Sequence, residues 1–125
     1  MILEVVLATF IIMVLGWLWY SPLLFGNQWI KLIGSKKVNG GKKEMMIHAI
    51  LTLAQMIVLW YMIQWTSSFS VLQALTIAAL LWLGFTSVAQ LGPMLWEKKH
   101  ITLFYINTGY SLLSILIGSI VMVLI

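Results

Sequence analysis

Four long apolar stretches occupy most of this chain and restrict its fold more than any motif does. They cover residues 2–24, 45–65, 70–92 and 102–125. Each is close to the roughly 20 residues, or about 30 Å of helix, that cross the hydrocarbon core of a bilayer. The apolar residues are consecutive rather than alternating, which favours helices over the strands of a barrel. We therefore predict an all-α integral membrane protein, a single four-transmembrane-helix bundle over residues 1–125.

Composition agrees with a membrane location. Hydrophobic residues make up 62% of the 125 and charged residues 8%, which is too little polar surface for a domain in water. The absence of cysteine excludes disulfides, thiolate chemistry and cysteine metal ligands. Residues 1–15 contain no lysine or arginine, unlike the start of a secretory signal, so we expect the first stretch to be retained as a span.

The positive charges predict the orientation. All seven lysines lie in the two loops that follow the first and third spans, and the chain has no arginine. Positively charged loops stay in the cytoplasm, so both loops should be cytoplasmic and both chain ends outside, in the plasma membrane. Because the lysines flank membrane spans, they indicate contact with a bilayer and not with nucleic acid.

Two interpretations of the first basic loop remain open. Its lysines would bind anionic lipid headgroups, at about 1 kcal/mol each near the surface, or would only fix the topology. The residues concerned are Lys31, Lys36, Lys37, Lys42 and Lys43. A short interfacial helix around Lys31 is also predicted. Leu24, Phe25, Trp29 and Leu32 would form its apolar side, and Gly34 would end it.

The two prolines suggest an internal repeat. Pro22 and Pro93 each begin a proline–apolar–leucine–aromatic segment at the lysine-bearing end of a predicted span. This favours two helical hairpins in parallel orientation. Chance agreement is the alternative, because proline commonly ends a helix.

Polar residues within the spans are the candidates for a binding site, because hydrocarbon penalises them. Helical spacing and depth bring Tyr20, His48, Gln90 and Asn107 to a similar level near the lysine-bearing ends. The full candidate set for a ligand is Tyr20, Ser21, His48, Thr52, Gln90, Asn107 and Ser111. The alternative is that such groups only tie helices together, with Gly16, Ser114 and Gly118 as positions of close packing.

Signals of catalysis are weak. His48 and His100 do not have the spacing of a metal site, and no serine–histidine–acid set or phosphate-binding loop is present. We therefore expect a protein that is not an enzyme and that has no metal or other cofactor.

Three segments carry a resemblance to a known family. They are Trp19-Tyr20-Ser21-Pro22-Leu23-Leu24-Phe25-Gly26 with Trp29, Leu95-Trp96-Glu97, and Asn107-Thr108-Gly109-Tyr110 with Ser114. Together they resemble the family called domain of unknown function 1761, which consists of short four-span membrane proteins. Pro93 and Lys98-Lys99 depart from the pattern. The resemblance covers nearly the whole chain and implies fold and location, but no activity.

Three functions are compatible with these features. The first is a homo-oligomeric permease or pore for a small solute or lipid, with the polar cluster in its cytoplasmic half. The alternative is a non-catalytic membrane subunit or assembly factor that binds another membrane protein. A membrane enzyme acting on a lipid or quinone is the third, and the lack of an acid–base pair disfavours it.

Overall fold

The computed structural model describes residues 1–34 and 41–125, and these parts are helical and without strands. Its helices are α1 (Ile2–Trp19), α2 (Gly26–Ile33), α3 (Lys42–Trp65), α4 (Val71–Leu81), α5 (Ser87–Glu97) and α6 (Ile101–Leu124). A π-helical turn, Trp82–Thr86, joins α4 to α5 into one continuous helix. Among the described residues, four helices, with α4–α5 counted as one, are long and apolar enough to cross a membrane. The prediction of a multi-pass, all-helical membrane protein is confirmed.

Helix α6 lies at the centre of the bundle and contacts α1, α3, α4 and α5. The described lysines of both loops lie at one end of the helices, which we call the lysine-bearing end. Away from that end, small and branched side chains form an apolar core, which excludes solvent from the remote half of the bundle. Its members are Val5, Ala8, Ile12, Met56, Leu59, Ile63, Ala74, Ala78, Ile115, Val121 and Met122.

The first span is shorter than predicted, because α1 ends at Trp19 and not at residue 24. A tight turn follows, in which the Ser21 carbonyl accepts the N–H groups of Leu24 (3.1 Å) and Gly26 (2.9 Å). Pro22 within this turn has no N–H and cannot continue a helix. The short helix α2 then runs to Gly34, whose φ of 86° suits glycine.

The third span is longer than predicted. We expected it to end at Gly92, but α5 continues through Pro93 to Glu97 and stops where Lys98 adopts a left-handed conformation. Pro93 offers no N–H to the carbonyl of Ala89. Spanning helices tolerate this where neighbouring groups satisfy the backbone. Pro22 and Pro93 therefore lie in different backbone structures, one in a turn and one inside a helix.

The other two helices lie close to their predicted positions. Helix α3 begins at Lys42, slightly before the expected residue 45, and the backbone N–H of Gly41 donates to Glu44 Oε2 at 3.0 Å. Helix α6 begins at Ile101, where the N–H of Thr102 donates to His100 Nδ1 at 3.3 Å. These contacts satisfy donors that the first turn of a helix leaves free.

Candidate functional site: a polar cavity in the lysine-bearing half

An open cavity of about 560 Å³ lies among α1, α3, α5 and α6. Its polar lining consists of Tyr20, His48, Gln55, Gln90, Lys99, Asn107, Tyr110, Ser111 and Ser114. The structure thus brings together the four residues of the predicted cluster, and Ser111 with them. The cavity reaches from the α5–α6 loop to Gln55 and Ser114, each roughly 20 Å along its helix from the first residue. It therefore extends to about the middle of a bilayer.

Tyr20 and Asn107 form one wall. The Tyr20 hydroxyl donates to Asn107 Oδ1 at 2.8 Å. The Tyr20 ring packs edge-on against Trp29 and Tyr110, with centroid distances of 5.0 and 5.6 Å. Because Asn107 Oδ1 accepts this bond, the amide N–H groups of Asn107 remain available to the cavity.

Tyr110 was absent from the predicted set and is central to the site. Its hydroxyl donates to the Ile12 carbonyl at 3.2 Å and lies 3.4 Å from His48 Nε2. Gly16 permits this position, since a Cβ there would lie 2.8 Å from the Tyr110 hydroxyl. Tyr110 follows Asn107 by three residues on α6, a spacing that places the two on one helix face and could have identified it.

A second, smaller cavity of about 300 Å³ lies between α1 and α3. Tyr20, His48 and Tyr110 line both cavities and so stand between them. Glu44 and Gly16 line the smaller one, whose walls are otherwise largely apolar. The two tyrosines and the histidine therefore form the partition between the two cavities.

Gln55 and Gln90 face the large cavity from α3 and α5. Within residues 1–34 and 41–125, neither side-chain amide makes a hydrogen bond to another protein group. Gln55 is exposed and Gln90 half-buried. An amide without a partner is costly in hydrocarbon. Both amides therefore offer hydrogen-bonding groups to water or a polar solute in the cavity.

Two predicted site residues do not line the cavity. Thr52 is buried, and its hydroxyl donates to the His48 carbonyl at 2.8 Å. Ser21 is also buried, and its hydroxyl donates to the Leu18 carbonyl at 2.6 Å. Both hydroxyl groups are occupied by their own backbone, a local bond that serine and threonine commonly form in membrane helices.

The predicted packing residues lie at close helix contacts. A Cβ at Gly118 would meet Met56 Sδ at 2.7 Å, so glycine lets α3 and α6 approach here. Ser114 is buried and donates to the Tyr110 carbonyl at 2.8 Å, yet it also lines the cavity. It therefore belongs both to the packing and to the site.

Three of the five predicted headgroup lysines are described, and they lie at the lysine-bearing end. Lys31 lines a small cleft of about 290 Å³ with Gln28, Leu32, His100 and Thr102. Lys42 and Lys43 lie in the first turn of α3. The predictions for Lys36 and Lys37 lie outside the described residues.

The two most distinctive sequence segments contact each other beside the cavity. The Trp19 indole N–H donates to the Ile106 carbonyl at 2.9 Å, next to the Tyr20–Asn107 bond. The Trp19 ring packs directly against Gly109, where a Cβ would lie only 3.1 Å from Trp19 Cζ2. The segment after α1 and the first turns of α6 thus build one wall together.

Comparison with known proteins points to a family without naming an activity. No curated protein and no solved structure matched the chain. A family model described as "Protein of unknown function (DUF1761)" matches residues 3–123, nearly the full length. The match includes the two segments that meet at the cavity wall. The chain therefore belongs to the DUF1761 family, as its motifs indicated.

Proposed function

We propose that this protein is a permease for a small polar or amphipathic solute, acting as a homo-oligomer in the plasma membrane with its lysine-bearing end in the cytoplasm. The observation that carries the proposal is the large cavity, which is polar to about mid-membrane depth and then meets a packed apolar core. A midplane site open towards one side is what a carrier presents in one of its two states.

A carrier is better supported than an open pore. The core of the remote half fills the space beyond Ser114 with side chains such as Ile115 and Met122. A continuous aqueous path through one chain would have to cross that core. Closing the lysine-bearing end and opening the remote end would be a rearrangement of helices that pack side by side.

A binding role is also better supported than catalysis. Among the described residues, no carboxylate lines the large cavity. Glu44 shares the smaller cavity with His48, but its Oε2 accepts the backbone N–H of Gly41 at the start of α3. The amides and hydroxyls that do line the large cavity are suited to holding a solute. We therefore propose that the protein is not an enzyme.

Thiol labelling tests the proposal, because the natural chain has no cysteine. Single variants Gln90→Cys and Gln55→Cys are exposed to a membrane-impermeant maleimide from either side of sealed vesicles. Val88→Cys is the matched control, because Val88 is 62% exposed on the same helix as Gln90 but lies outside every cavity described above. We expect reaction at residue 90 from the cytoplasmic side and none at residue 88, where hydrocarbon or a second copy of the chain suppresses the reactive thiolate.

The permease proposal adds a second expectation. Gln55→Cys should react from both sides, because transport exposes the midplane site alternately to each. Reaction from the cytoplasmic side alone would overturn transport in favour of a non-catalytic subunit or assembly factor. No reaction at residues 55 and 90 from either side would show that the polar groups only tie helices together.

A further inference from the structure

An apolar groove continues from the polar cavity. It has a volume of about 380 Å³ and lies among α3, α4 and α6, lined by Leu51, Ala54, Gln55, Val58, Leu59, Leu81 and Ile115. Gln55 lines both spaces, and Ser114 of the cavity is followed by Ile115 of the groove. The polar cavity and the apolar groove are therefore adjacent parts of one recess.

The recess is polar at one end and apolar at the other. Along α3, the groove spans Leu51 to Leu59, so it overlaps the cavity, which His48 and Gln55 line, and extends one turn further from the lysine-bearing end. Along α6, the lining of the cavity ends at Ser114 and that of the groove lies at Ile115. The polar part thus lies towards the lysines and the apolar part towards the remote half. A lipid in the leaflet next to the lysines has the same orientation, with its headgroup at the surface and its chain towards the midplane.

The charges of the polar part favour an anion. Lys99 lines the cavity, and among the described lining residues there is no carboxylate. Lys99 Nζ is 3.0 Å from Glu97 Oε2, but both side chains are about half exposed, and such pairs are weak enough for another anion to compete. The amide groups of Gln55, Gln90 and Asn107 supply further N–H donors.

The geometry points to a solute that is an amphiphile with an anionic headgroup and one alkyl chain, a substrate class that rests on the proposed binding function. The headgroup lies among Lys99, Gln90 and Asn107, and the chain passes Gln55 into the groove. The polar part extends well below the headgroup level of the bilayer. This distinguishes the recess from an ordinary lipid contact, in which polar groups stay at the surface.

A binding experiment on the full chain in phosphatidylcholine nanodiscs tests this inference. Radiolabelled oleoyl lysophosphatidate is the probe, and glycerol 3-phosphate, which has the headgroup without the chain, is the competitor. We expect saturable binding that glycerol 3-phosphate displaces poorly. Lys99→Gln should weaken the binding, because it removes the positive charge of the cavity.

Two matched variants test the groove. Val58→Phe places a ring in the groove, and Val88→Phe makes the same change on α5, where the valine is equally exposed (60% and 62%). Val58→Phe should weaken binding by roughly tenfold, the scale of a misfit in an apolar pocket. Val88→Phe should leave binding unchanged.

Three results would overturn the inference that the solute is an anionic amphiphile. They are equal competition by glycerol 3-phosphate, equal effects of the two phenylalanine variants, and no saturable binding of the probe. Reaction of Gln55→Cys from both sides of sealed vesicles that contain the same purified protein would show that the permease proposal survives any of them. Absence of that labelling would instead contradict the permease itself.

Discussion

At the scale of single residues, the turn after α1 explains the most distinctive segment of the sequence, residues 19–26. Trp19 and Phe25 pack with ring centroids 4.6 Å apart, and the N–H of Phe25 donates to the Trp19 carbonyl at 3.0 Å. Ser21 bonds back onto the end of α1. These local contacts hold Tyr20 in reach of Asn107. The segment 19–26 thus positions one wall of the cavity.

Gly26 gives a test of this turn. A Cβ at Gly26 would lie 2.4 Å from the Tyr20 carbonyl oxygen, a backbone atom that cannot rotate away. We expect Gly26→Ala to lower the free energy of unfolding by about 1–3 kcal/mol, as overpacking does. Thermal unfolding in detergent measures the change.

Gly84→Ala is the control for this substitution. A Cβ at Gly84 meets no described atom within 4 Å, and the residue is helical. Alanine there should be neutral or stabilising by up to about 1 kcal/mol. Equal effects at the two glycines would mean that the turn relaxes around the added methyl group.

At the scale of elements, the π-helical turn sets which face of α5 lines the cavity. Its extra residue shifts α5 in rotation relative to α4. The N–H of Ser87 donates to the Trp82 carbonyl, and the Trp82 indole donates to the Thr108 carbonyl at 3.0 Å. Ala74 and Ala78 of α4 are fully buried in the core, while Gln90 and Pro93 of α5 face the cavity.

Deleting Gly84 should restore a regular α-helix and rotate α5 by about 100°. Gln90 would then leave the cavity, so we expect the Gln90→Cys thiol to lose its reactivity from the cytoplasmic side. Gly84→Ala in the same cysteine background keeps the residue count and should keep the reactivity. Unchanged labelling after the deletion would show that α5 is held by its own contacts and not by the turn.

At the scale of the whole molecule, the α4–α5 helix is the least covered part of the bundle. None of the eleven residues of α5, all of them described, is buried, and Trp96 is 89% exposed. This helix also closes one side of the cavity. A second copy of the chain packed against it would cover that side, which supports the proposed homo-oligomer.

Native mass spectrometry of the protein in nanodiscs tests the oligomer, and we expect a closed assembly of several chains. Phe85→Ala should weaken it, because Phe85 is 72% exposed on the π-helical turn. Phe10→Ala, at a similarly exposed position (66%) on α1, should not. A monomer under all conditions, or equal effects of the two alanines, would contradict an assembly through α4–α5.

The depth of the candidate site could be predicted from the chain, but its exact lining could not. A rise of 1.5 Å per residue converts position into depth, so Tyr20, His48, Gln90 and Asn107 could be placed at one level before any contact was known. Which side chains enter the cavity depends on the rotation of each helix. Thr52 lies one turn from His48 yet is buried and bonded to the backbone, while Gln55 faces the cavity.

The sequence by itself determined four membrane helices. The need to satisfy every backbone group in hydrocarbon restricts spans to helices or barrel strands, and about 20 consecutive apolar residues fit a helix and not a strand. Only the tertiary structure decided the early end of α1, the continuation of α5 through Pro93 and the central role of Tyr110. The role of Tyr110 depends on contacts between distant segments, with Ile12 and His48, and Trp19 with Ile106 and Trp82 with Thr108 are further contacts of this kind. Local periodicity cannot encode these contacts, because they follow from how the helices rotate and pack against one another.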